Sequence, residues 1–97
     1  MKIKVLFHEL LTLAKKSGIK VRRDILIKSK GGACILNQEK IIILNKTFPI
    51  EKQASFLARY IAEINPPELN EIKNTEIYQY ILNEYSNEKS TSIEFIV

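Results

Sequence analysis

Cysteine and histidine are almost absent from this sequence: Cys34 and His8 are the only examples in 97 residues. A single thiol excludes an intramolecular disulfide and fits a reducing compartment. A structural zinc site draws several ligands, usually two or more from His or Cys, so this pair is too small a supply. No metal and no cofactor is implied. Long apolar runs are missing too. No stretch approaches the roughly 18 residues of a membrane span, so no membrane partner is expected. Met1-Lys2-Ile3-Lys4 imitates the start of a signal peptide. However, His8 and Glu9 break the apolar stretch behind it, and Lys15-Lys16 stands where a cleavage site needs small residues. The expected location is the cytoplasm. Gly31-Gly32 lacks the spacing and the Gly-Lys-Ser/Thr ending of a phosphate loop.

What is present is a globular composition, 45% hydrophobic and 27% charged. A chain of this length buries roughly two-thirds of its unfolded surface, enough for one core. The net charge of +4 is unevenly spread. Residues 1–50 hold eleven Lys/Arg against three acids, and residues 51–97 hold four against eight. Such a polarised molecule can steer toward a polyanion or toward a second copy of itself.

Apolar periodicity predicts a helix over 5–17, with Leu6, Leu10, Leu13 and Ser17 on one face and Phe7, Leu11 and Ala14 beside them. Lys15 and Lys16 suit its negative end, and Gly18 is a left-handed cap. From Ile19 the period becomes two. Ile19, Val21 and Arg23 form one strand face, and Ile25 and Ile27 continue the alternation past Asp24, with room for a bulge or a turn near Arg23-Asp24. Residues 28–32 read as a loop. Ala33–Leu36 and Lys40–Asn45 read as a hairpin, and the unbroken Ile41-Ile42-Ile43-Leu44 as a central strand buried on both faces.

Pro49 marks a helix start. Ile50, Ala54, Leu57, Ala58, Ile61 and Ile64 then share one helical face until Asn65-Pro66-Pro67. A last helix is expected over 75–85, capped by Asn74 or Thr75, with Ile77, Ile81 and Tyr85 or else Tyr78 and Leu82 inward. The fold class is therefore α+β: an N-terminal helix, about three strands with a hairpin, and two C-terminal helices. Residues 1–85 form the single domain. Residues 86–97 follow as a polar spacer and an apolar tail, which could be an edge strand, a partner-docking segment or a flexible end.

Candidate sites are few. Lys15, Lys16, Lys20, Arg22, Lys28 and Lys30 offer a basic surface for nucleic acid, but no aromatic residue falls between Lys15 and Lys30 to stack a base. Arg22 and Arg23 point to opposite strand faces. Cys34 is the candidate thiol of a Cys-dependent enzyme with His8 as base. Its apolar strand context reads more simply as a small buried hydrophobe. Tyr60, Tyr78, Tyr80 and Tyr85 cluster in the acidic half, where they could line a binding groove, although helical tyrosines more often seal a core.

One further pattern comes from resemblance. Ile41-Ile42-Ile43-Leu44-Asn45, a short turn, and Glu51-Lys52-Gln53-Ala54-Ser55-Phe56-Leu57-Ala58 resemble part of the ImmA/IrrE-type zincin-like metallopeptidases. There a strand ending near Asn leads into an active-site helix bearing Ala-His-Glu-x-x-His. The resemblance covers about a quarter of the chain and places Ala58-Arg59-Tyr60-Ile61-Ala62-Glu63 where that motif would stand. It implies a metal-free relative. Arg59 replaces the first ligand, Tyr60 the general base and Glu63 the second ligand, and Arg59–Glu63 becomes an i,i+4 pair of opposite charge. The Gly31-Gly32-Ala33-Cys34 stretch also resembles a small bacterial family of unknown function. The function expected is a non-enzymatic interaction module whose partner is another protein or a second copy. Nucleic-acid binding and Cys34 catalysis are the alternatives.

Overall fold

The computed structural model describes the backbone of residues 1–96 and the side chains of residues 1–87. Its order is α1 (Ile3–Lys16), β1 (Ile19–Asp24), β2 (Gly31–Leu36), β3 (Glu39–Asn45), α2 (Ile50–Ile64), a 3₁₀ turn (Pro67–Ile72) and α3 (Glu76–Ile96). This is the expected α+β plan of helix, three-stranded sheet and two C-terminal helices.

α1 buries Leu6, Phe7, Leu10, Leu13 and Ala14. Ser17 and Gly18 close it, Gly18 at φ +75 donating its N–H to the Lys15 carbonyl. The chain then enters β1, which pairs in parallel with β3, while β2 pairs antiparallel with the other side of β3. The strand order β1-β3-β2 puts the apolar Ile41–Leu44 run at the centre. Asn37 and Gln38, both at positive φ (51 and 70), make the two-residue turn of the β2–β3 hairpin. α2 buries Ala54, Leu57, Ala58, Tyr60 and Ile61. It ends at Asn65, whose left-handed backbone (φ 53) donates to the Ile61 carbonyl before two prolines forbid another turn. α3 begins at a Thr75 cap, where the hydroxyl accepts the Tyr78 N–H, and Ile77 and Ile81 face the core.

Both α1 and α2 pack on the sheet face that carries Ile19, Val21, Ile42 and Leu44, and α3 packs on α2. Every fully buried Leu or Ile in this layer contributes about 1.5–3 kcal/mol. Polar side chains join the layers as well. Arg23 leaves β1 toward the helices, its guanidinium 5.0 Å from the Phe7 ring centroid and its Nε donating to Gln53 Oε1 at 2.9 Å. Gln53 is itself buried, and its Nε2 donates to the Phe48 carbonyl at 2.8 Å. One arginine therefore ties α1, β1 and the first turn of α2 together.

Four sequence expectations change. β1 stops at Asp24, leaving Ile25 and Ile27 67% and 86% exposed. The side chain of Asn45 draws the Leu26 backbone to itself, so the chain peels away from β3 despite its continuing alternation. Gly31 and Gly32 belong to β2 rather than to a loop. Gly31 adopts φ +103, and a Cβ there would stand 2.0 Å from the Ile43 carbonyl oxygen. The central strand is buried on one face only: Ile42 and Leu44 are enclosed, whereas Ile41 and Ile43 are half-buried, because both helices took the same side. Finally, the backbone of 86–96 continues α3 as helix rather than forming an edge strand.

Candidate functional site

α2 carries the three residues singled out by resemblance, and it does not bring them together. Tyr60 is buried, with its ring 6.3 Å from that of Phe56. Glu63 is exposed at the rim of a hollow of about 420 Å³ whose other walls are Ala33, Cys34, Ile35, Lys40 and Ile64. Arg59 is half-buried, and its guanidinium lies 5.4 Å over the Phe56 ring. The expected Arg59–Glu63 ion pair is not formed. Among the described residues, ion pairs within 4.0 Å join the Met1 amine to Glu76 and Arg22 to Asp24. Helical side chains lean toward the N-terminus, so Arg59 settles on Phe56 three residues back instead of reaching forward to Glu63.

The neighbourhood of Arg59 belongs to the α2–α3 contact. Ser55 Oγ donates to a Glu84 carboxylate oxygen. Tyr80 on α3 has its pKa pushed from 10.0 to about 12, first by burial and then by the nearby Glu84 charge, with Arg59 acting in the opposite sense. Burial thus holds this phenol in its neutral form well above neutral pH.

The basic residues also part company. Lys15 and Lys16 end α1, and Lys28 is exposed in the loop before β2. Lys20 and Arg22 point to the sheet face away from the helices, since β1 alternates and Ile19, Val21 and Arg23 take the helical side. Lys30 turns the other way, its Nζ 5.5 Å over Phe56 of α2. Arg22 is further tied to Asp24 at 3.2 Å. The six do not share one plane.

Cys34 is exposed, contrary to the buried hydrophobe expected from its apolar surroundings. β2 is an edge strand, and Cys34 stands opposite Ile41 while also bordering, at that edge, the hollow lined by Glu63 and Ile64 of α2. His8 is exposed on α1, which covers the sheet face that carries Ile42, so the thiol and the imidazole are separated by the sheet. No three His, Cys, Asp or Glu side chains among the described residues are grouped to hold an ion. No described helix is long and apolar enough to cross a membrane.

What the fold does assemble is the sheet face that the helices leave bare. Across it the register sets Lys20, Ile41 and Cys34 in one row and Arg22, Ile43 and Gly32 in the next. Leu36, 59% exposed, continues the β2 side. The space above Gly32 is open, since a Cβ there would meet nothing within 4 Å. The result is an apolar centre of Ile41 and Ile43, with small residues along β2, two cations along β1 and Glu39 opposite Leu36 at one end. β2 adds a free edge of six uncharged residues, Gly-Gly-Ala-Cys-Ile-Leu, with Ile35 68% exposed. Edge strands are usually blunted by charge, proline or a covering element, and this one carries neither charge nor proline.

No family model, curated protein or solved structure matches the chain.

Proposed function

We propose that the chain is a non-enzymatic cytoplasmic interaction module that associates with a second copy of itself, on a zincin-like scaffold lacking the metal motif. The observation that carries this reading is the bare apolar face of the sheet, lying beside an uncharged edge strand. Covering exposed Leu36 and half-buried Ile41 and Ile43 removes apolar surface from water at about 25 cal/mol per Å². A monomer forgoes that gain. The uneven charge adds a second support, since this face belongs to the basic half of the chain and the acidic half carries the opposite charge. Nucleic-acid binding is disfavoured by the divergent directions of Lys20 and Lys30 and by the Arg22–Asp24 pair.

Sedimentation equilibrium of the full chain across a concentration series tests the proposal. Association that weakens as salt rises is the expected result. A monomer at every concentration, in low and high salt, would dismiss it.

A further inference from the structure

On the reading that this chain self-associates, we infer that the occupant of this sheet face is the C-terminal run of a second copy, Ile93-Glu94-Phe95-Ile96-Val97. Three facts lead there. Four of these five residues are apolar, and the run lies in the acidic half of the chain, with Glu94 inside it and Glu88 upstream. Its backbone as far as Ile96 is the continuation of α3. α3 is a single helix of 21 residues, about 31 Å at 1.5 Å per residue, and it packs on α2, on the helical side of its own sheet. An unbroken helix in that position does not fold back over the opposite face, so the run meets a bare sheet face only on another copy.

The chemistry of the two surfaces matches. Ile41 and Ile43 offer an apolar floor, and Gly32 and Cys34 leave room above it for larger side chains. Lys20 stands along the β1 side, within reach of an acidic residue carried by an incoming helix, while Arg22 beside it is already paired with Asp24. A helix laid on the second face of a sheet is the ordinary three-layer solution for a sheet with two apolar faces. Here each copy would supply that third layer to its neighbour.

The test uses the full chain and three variants, each checked for native helix content by circular dichroism and followed by sedimentation equilibrium. Phe95→Asp should raise the dissociation constant at least tenfold. Lys20→Glu should raise it several-fold, and combining it with Glu94→Lys should recover most of the loss, because the exchanged charges face each other again. If the chain associates and neither Phe95→Asp nor the charge exchange has an effect, the occupant is wrong while self-association stands, with β2 edge pairing as the remaining contact. If the wild-type chain never associates, both readings fall.

Discussion

Asn45 organises more backbone than any other described side chain. It is 3% exposed, accepts from the Thr47 N–H and hydroxyl and the Leu26 N–H, and donates to the Leu26 and Ser29 carbonyls. Asn45→Ala would strand these groups together, so we expect a loss of about 2–4 kcal/mol in urea unfolding. Gly31 is the second such position. Gly31→Ala meets both a positive φ and the Ile43 carbonyl, and should cost about 2–3 kcal/mol by the same measurement, whereas Gly32→Ala points into open space and should be near neutral. Tyr80 sets an alkaline limit. Its folded pKa of about 12 lies above the ordinary 10.0, so its contribution is whole below pH 10 and is lost as pH rises through 12. Phenolate absorbance should show a late-titrating step, and Tyr80→Phe should diminish it.

At the scale of elements, α1, α2 and the hairpin were legible because their signals are local. Leu6, Leu10 and Leu13, and later Ala54, Leu57 and Ile61, repeat at the helical period and are buried as that period requires. The errors arose where a distant partner decided. The Ile25 and Ile27 alternation gave way to the hold of Asn45 on Leu26, across 19 residues of sequence. Ile41–Leu44 reads the same whether one face or two is covered, and only the shared side taken by α1 and α2 left Ile41 and Ile43 open. The exposure of Cys34 follows from strand order, which no local pattern reveals. One element remains open to improvement. Gln38 sits at φ +70 in the hairpin turn, a position where glycine pays no steric penalty. Gln38→Gly completes an Asn-Gly turn and should raise stability by about 0.5–1 kcal/mol, read as a higher denaturation midpoint at unchanged slope.

The molecule as a whole is a two-layer fold whose helices all serve one side of the sheet. The residues expected to mark a vanished metal site are instead divided among the core, the α2–α3 contact and a solvent rim. The surface left for function is the opposite one, with an apolar floor, a cationic margin and an uncharged edge. Its one thiol makes that surface directly observable. If the bare face is where copies meet, alkylation of Cys34 in the native chain must slow as protein concentration rises through the range of association. It must then recover on dilution. A rate that stays the same from the most dilute to the most concentrated sample would contradict the account.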